Sequence, residues 1–287
     1  EIGNKQTGIM GTYNLTQLHK VDSDVVSSQT RLSICLQANG FSFSLIEESS
    51  LKLMAVGHFD CDLSGTIPVV MNTVRECFSS IGVKMFRFAK IRVICRTGKN
   101  VWIPYKLYDA TKNKDYLKAT IRLHDNETVL SKLSEKLDAV SIFAYPIHSY
   151  SGIKILMSNA EFCSQHQILA EYAYDISKFS QNTLILNKQG NNFDLALFKG
   201  NSFIMSNTLI CNAATDLIYN LLFILQHTEV DTEAVKLLLT GDDYEHEELQ
   251  MLKRYVKDLA YANPMENIKA GIEFDKVNLQ NYFLVIA

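Results

Sequence analysis

A β-meander is written twice in this chain. Leu32-Ser33-Ile34-Cys35-Leu36 alternates, Gln37-Ala38-Asn39-Gly40 supplies a turn, and Phe41-Ser42-Phe43-Ser44-Leu45 alternates again. Alternation on both sides of Asn-Gly is a strong hairpin signal, since both residues tolerate the positive φ of a tight turn. A third strand is read over 51–59. Ile67, Val70, Met71, Val74, Cys77 and Phe78 then recur at helical spacing, with Ser64 or Thr66 to cap and Pro68 in the first turn. Residues 90–95 read as a buried strand and 101–108 as extended, with Pro104 marking an edge or a loop. Residues 139–146 read as another strand. The first half is thus β-β-β-α-β, mixed elements, then β. Residues 1–30 are polar and weakly patterned, a loose arm with at most one strand.

The second writing starts after a helix over 165–179, which presents Ile168, Leu169, Tyr172 and Ile176 on one face. Strands are read over 183–186, 193–198 and 202–211, with turns at Asn187 to Asn192 and at Lys199-Gly200-Asn201. A helix over 213–227, a strand over 235–239, a helix over 247–259 and a strand near 268–274 complete the series. The same opening in both halves points to a duplicated α/β unit with mixed sheets. The division is drawn at 1–165 and 166–287.

Composition excludes several classes. The net charge is -3, the pI about 6.2, and no Lys/Arg block exceeds two adjacent residues. That lacks the basic footprint of a nucleic-acid binder. The six cysteines form no C-x-x-C and mostly sit in apolar runs. This reads as reduced thiols in a cytoplasmic protein. The most apolar run, Leu217 to Leu225, falls far short of the roughly 20 residues that span a bilayer.

A doubled β-β-β-α-β-α-β order resembles the actin, sugar kinase and heat-shock chaperone superfamily. The second hairpin, Asn187-Lys188-Gln189-Gly190-Asn191-Asn192-Phe193-Asp194-Leu195, is similar to the chaperone branch's D-L-G-G-G-T-F-D-V. Gln167 to Asp175 resembles the helix that precedes it. Leu237-Leu238-Leu239-Thr240-Gly241-Asp242 resembles the adenosine-side strand end, where the family has two adjacent glycines. Cys35 to Gly40 sits where the family has D-x-G. The 32–45 hairpin, the 101–109 segment and Asp216-Leu217-Ile218-Tyr219 also resemble an uncharacterised bacterial domain of unknown function with an actin-like fold, over about residues 30–275. The resemblance implies two actin-like ATPase lobes, each with a ribonuclease H-like motif.

It also implies a nucleotide cleft near Gln37, Asn39, Gly40, Asn187, Gly190, Asn191, Asp194, Gly241 and Asp242. In the family, acidic residues at the hairpin turns hold a hydrated Mg²⁺, and bare glycine N–H groups cradle phosphate. Here Leu36 and Gln37 stand where the first carboxylate is expected, and Asn187 stands for the second. Gly190 alone remains of three glycines, and Asp242 replaces a glycine beside the polyphosphate, where a carboxylate repels. The expectation is a degenerate, non-catalytic cleft with no metal and no cofactor. It would serve a small molecule, a protein partner or self-association. The alternative is ATP binding through atypical ligands, kept open by Gly190, Asp194 and Gly241.

Other clusters have structural readings. His58-Phe59-Asp60-Cys61-Asp62 places His58, Asp60 and Asp62 on one face of a strand, but no second ligand pair lies at a metal-site spacing. Asp242 to Glu248 precedes a helix, where negative charge favours the helix dipole. Arg96-Thr97-Gly98-Lys99 lacks the spacing of a phosphate loop and reads as a β-turn. The helix from Ala213 is apolar nearly all round, which predicts Tyr219 or Phe223 at a contact between lobes or between subunits.

Overall fold

Alternation in the first half becomes a twisted sheet with one face on a helix. The computed structural model describes residues 5–8, 11–20, 27–37, 39–83, 88–179 and 182–287. Strands β1 (Lys5–Gly8), β2 (Gly11–Lys20), β3 (Thr30–Gln37), β4 (Gly40–Glu47) and β5 (Lys52–Cys61) precede helix α1 (Ile67–Ser80) and strand β6 (Lys90–Cys95). The chain then builds a separate antiparallel sheet from β7 (Asn100–Pro104), β8 (Glu127–Ser134) and β9 (Ala139–Pro146), with α2 (Asn113–Lys118) against it. Helix α3 (Ile147–Leu156) leads back to β10 (Glu161–Ser164), which pairs in parallel with β6.

The second half runs α4 (Gln165–Ser177), β11 (Asn182–Gln189), β12 (Asn192–Lys199), β13 (Ser202–Ile210), α5 (Ala214–His227), β14 (Val235–Gly241), α6 (His246–Tyr255) and β15 (Asp258–Tyr261), ending in α7 (Phe283–Ile286). The first sheet has the order β1-β2-β5-β4-β3-β6-β10 and the second β13-β12-β11-β14-β15. With β1 and β2 set aside, the two orders are one plan. A meander is joined in parallel by the strand after the first helix, then by a fifth parallel strand.

Burial follows the patterning. Val70, Val74, Cys77 and Phe78 of α1 pack on the first sheet, where the rings of Phe41, Phe43, Phe59 and Phe78 interlock at centroid distances of 5.3–6.3 Å. Helix α4, capped by the Ser164 Oγ that accepts the Gln167 N–H, buries Ile168, Leu169, Ala170 and Ala173 in the same core as Ile185, Ala196 and Phe198 of the second sheet. The other face of that sheet packs on α5 and α6 through Leu217, Leu221, Leu225 and Leu252. At its end the chain returns to the first sheet, where α7 contacts β3 and β4.

Several expectations change. The polar arm contributes β1 and β2, because the β5 edge offers it free backbone groups; part of it, residues 1–4, 9–10 and 21–26, lies outside the described residues, as does Ala38. Residues 139–146 form a strand, but in the separate sheet; the fifth strand of the first sheet is the four-residue β10, too short to carry a pattern. The helix read over 247–259 stops at Tyr255, and Leu259 pairs with Leu237, so an open parallel edge overrides the helical period. Residues 268–274 are not a strand: Lys269 makes a single bridge to Lys52, and Ile272–Phe274 is a 3-10 turn. Tyr219 is 68% and Phe223 48% exposed, so neither lies between the sheets.

Phe59 meets four other rings at zero exposure. Phe59→Ala is expected to cost about 3–5 kcal/mol, read as a lowered denaturation midpoint at unchanged slope.

Candidate functional site

The equivalent hairpins of the two halves face each other. β3 and β4 close at the pair Gln37–Gly40, and β11 and β12 close at Gln189–Asn192. Each loop is therefore the tight two-residue kind. Gly40 belongs to the strand rather than the turn: its φ is +144°, and a Cβ there would lie 1.9 Å from the Phe59 carbonyl oxygen. The same register equates Asn187 with Cys35 and Gln189 with Gln37. Between the hairpins the Gln189 Nε2 donates to Gln37 Oε1, an amide bridge from one sheet to the other.

A cavity of about 540 Å³ opens at this bridge. Of the residues expected from sequence, Gln37, Asn39, Asn187, Gly190, Asn191, Gly241 and Asp242 line it; Gly40 and Asp194 do not. Asn and Gln are the commonest residue types on the wall, and the chain end contributes Tyr282, Leu284 and Val285.

Asp194 sits beneath the wall, 1% exposed. Its Oδ2 accepts from Arg96 Nη2 at 2.7 Å, and its Oδ1 accepts from Thr208 Oγ1 at 2.6 Å and Gln165 Nε2 at 3.1 Å. Burial pushes its pKa up, but Arg96, His166 and these hydrogen bonds outweigh burial and hold it below the ordinary aspartate value. Burial in turn lowers the pKa of His166, against the pull of Asp194. Arg96 stands on the cavity wall, so its charge is met from behind. In sequence, Arg96-Thr97-Gly98-Lys99 reads only as a β-turn. Its partner lies 98 residues away, and no local pattern announces such a pair.

The third polar group caps the second hairpin from within. Gly241 has φ +90°, and a Cβ would fall 2.1 Å from the Lys188 carbonyl oxygen. This turn brings the Asp242 carboxylate onto the N–H of Gly190, with Oδ2 accepting at 2.8 Å. Lys188, 7% exposed, donates through Nζ to Glu248 Oε2 at 2.7 Å. Glu248 also accepts the Glu245 N–H at the start of α6, as the capping reading of the acidic run expects. Among the described residues, no three His, Cys, Asp or Glu side chains gather as a metal cage. His58 and Asp60 do share a face of β5, while the Asp62 carboxylate turns to the Ser64 N–H and hydroxyl.

The family model described as "Protein of unknown function (DUF3822)" matches residues 22–259. A crystal structure from Bacteroides thetaiotaomicron VPI-5482, described as a protein with actin-like ATPase fold and unknown function, is 21% identical, covers 91% of this chain and 97% of its own, and superposes with a TM-score of 0.74. The PilM-PilN type IV pilus biogenesis complex contains a chain 10% identical, covering 89% of this chain and 96% of its own, with a TM-score of 0.57. The search of curated proteins returns no match. The fold is thus α/β and actin-like, with two sheets on a duplicated plan. Among the described residues, no helix is long and apolar enough to cross a membrane.

Asp194→Asn is expected to lose about 3–5 kcal/mol at neutral pH, because it leaves Arg96 buried against a neutral amide. The depressed pKa of Asp194 sets the pH dependence. Its contribution is complete above the unfolded aspartate pKa of about 3.9 and is lost as pH falls through the lower folded value. Denaturation midpoints of the two proteins, taken from pH 7 downward, should therefore converge in acid.

Proposed function

The chain belongs to the DUF3822 family, proteins of unknown function, and we propose that it uses an actin-like cleft to bind a small uncharged polar molecule without turning over nucleoside triphosphates. In this reading residues 1–165 and 166–287 make up its two lobes, with α7 at the chain end returning to the first sheet. Gln37, Asn39, Gly40, Asn187, Gly190, Asn191, Asp194, Gly241 and Asp242 build or support the site between them.

The observation that carries this reading is the Asp242 carboxylate on the Gly190 N–H. A phosphate cradle needs open backbone donors. Here the donor already serves an anion of the protein's own, and that anion repels a second one. The cations nearby are committed as well, Arg96 to Asp194 and Lys188 to Glu248. The amide bridge between Gln37 and Gln189 stands between the hairpins, and a neutral amide does not offset the charge of a hydrated Mg²⁺. These residues do not fit Mg-ATP. They do fit a neutral ligand, since amides present donors and acceptors together and the cavity volume lies in the usual ligand-site range of about 300–1,000 Å³.

The test is thermal. Mg-ATP is expected to leave the melting temperature and the background hydrolysis unchanged. A ligand at a hundred times its Kd adds about 2.7 kcal/mol, so a nucleotide-dependent rise of that size sinks the proposal. A panel of neutral polar compounds screened the same way should yield at least one stabilising ligand.

A protein partner is the second reading, favoured by the exposed row Tyr219, Phe223 and His227 on α5, whose neighbouring ring centroids lie 6.3 and 3.9 Å apart. A neighbour of this fold was solved within a complex. Phe223→Glu is expected to change stability by no more than about 0.5 kcal/mol while abolishing assembly seen by sizing. An unchanged elution position at high concentration excludes self-association through this row.

A further inference from the structure

On the cleft side of the first sheet, one residue of β4 and two of β5 stand in hydrogen-bonding series. Ser42 and His58 are directly opposed in the antiparallel register, so their side chains emerge on one face as close neighbours. Ser42 Oγ lies 2.9 Å from His58 Nδ1, and His58 Nε2 lies 3.2 Å from Asp60 Oδ1. Asp60 is held in turn: its Oδ2 accepts from Thr16 Oγ1 at 3.0 Å. A carboxylate only accepts, so in the neutral ring Nε2 carries the proton and Nδ1 is left to accept from the Ser42 hydroxyl. Serine, base and orienting carboxylate are thereby placed in the order that activates a hydroxyl. Such an arrangement is recognised by geometry and roles rather than by order in sequence.

The series opens into the cavity, whose wall includes Ser42 and His58. A polar donor waits beside the hydroxyl. Gln37 Nε2 lies 3.3 Å from Ser42 Oγ, and its amide is fixed in that sense because Oε1 accepts from Gln189. A carbonyl oxygen next to Ser42 meets this N–H as negative charge develops on it.

We propose that Ser42 is the nucleophile of an acyl-transfer site, with His58 as general base, Asp60 as positioning residue, Gln37 as donor to the carbonyl oxygen, and small neutral esters as the substrate class. The proposal rests on the reading of the cavity as a site for uncharged polar molecules. Ser42 Oγ bonds to the ester carbonyl carbon while its proton passes to His58 Nδ1 and the C=O π pair moves onto oxygen. Collapse re-forms C=O and breaks the bond to the alkoxy oxygen, which leaves as an alcohol with the proton from His58. Water, deprotonated by His58, then attacks the acyl-serine and releases the acid, restoring the Ser42 hydroxyl. No oxidant, metal or nucleotide enters the balance. The neutral ester also suits the site, since no charged group of the substrate has to meet Asp242.

The full chain should be treated with a fluorophosphonate, which transfers a phosphonyl group to an activated serine with loss of fluoride, and read by intact mass and peptide mapping. A single adduct on Ser42 is expected, absent in Ser42→Ala. His58→Asn keeps a hydrogen-bonding group near Ser42 but no proton acceptor, and should slow labelling at least a hundredfold. Asp60→Asn should slow it about tenfold at unchanged melting temperature, with Asp60→Glu restoring part of the rate, a pattern that a purely structural Asp60 does not produce. Absence of the Ser42 adduct in folded protein, or labelling indifferent to His58→Asn, overturns the acyl-transfer site. Neutral compounds that stabilise Ser42→Ala in the thermal screen show the binding reading intact in that event. If none stabilises either protein, the binding reading fails instead.

Discussion

The contact on which the cleft depends is the buried pair of Arg96 and Asp194. Arg96 follows the last residue of β6 in the first sheet, and Asp194 lies within β12 of the second. Both are nearly withdrawn from water, at 10% and 1% side-chain exposure. Desolvating two charges costs several kcal/mol each, so the pair is weak as a source of stability. Breaking it is another matter, because either survivor is left as an uncompensated charge against a total stability of about 5–15 kcal/mol. The pair therefore acts as a register pin. The two sheets can meet in other ways only by stranding Arg96 or Asp194, and Gln165 and Thr208 complete the carboxylate's shell only in this one. The Gln37–Gln189 bridge, the cavity and the position of Ser42 on its wall all follow from how those sheets meet.

Internal charge pairing also decides the character of the cavity. Arg96 and Lys188 both reach its wall, and either alone would make it attractive to anions. Each is answered by a carboxylate of the chain, and Asp242 answers the backbone donor at Gly190. What the wall then presents is mainly amide, hydroxyl and imidazole groups. A neutral lining of this kind offers directional hydrogen bonds rather than charge, which is the basis of the proposed preference for uncharged polar molecules.

The duplicated plan was legible because it is local. Alternation around Gln37 to Gly40 and around Asn187 to Asn192 is visible within each hairpin, and the buried helices declare themselves by spacing, as Val70, Val74 and Cys77 do in α1. Part of the cavity wall was legible for the same reason: strand ends on one plan converge, as Gln37, Asn187 and Gly241 do. The rest depended on contacts between distant segments. Leu259 looks helical from its neighbours, yet an open parallel edge beside Leu237 claims it. Tyr219 and Phe223 widen the apolar face of α5 in the sequence, but their stripe points away from the core that Leu217 and Leu221 enter. His58 and Asp60 share a strand face that the sequence shows, but the pairing of Ser42 with His58, like those of Arg96 and Lys188, carries no signature in sequence, because these partners are set by the fold.

The duplication itself explains why polar chemistry collects where it does. Ser42 and Asp194 occupy the same place in their meanders, two residues past the hairpin closure at Gly40 and Asn192. The opposed residues correspond too: Ser42 faces His58 on β5, and Asp194 faces Thr208 on β13. Gln37 and Gln189, which bridge the sheets, are likewise equivalent. A duplicated unit that packs against itself brings equivalent positions together, as a two-fold interface does between subunits. The two copies differ at this position. In the second half the position holds a charge, closed off by Arg96 and withdrawn from the cavity, where it fixes the packing of the sheets. In the first half the same position holds a neutral hydroxyl left open to the cavity beside an imidazole. One half of the pseudo-symmetric pair is thereby held in the packing of the sheets, and its counterpart is the position that the proposed acyl-transfer site uses.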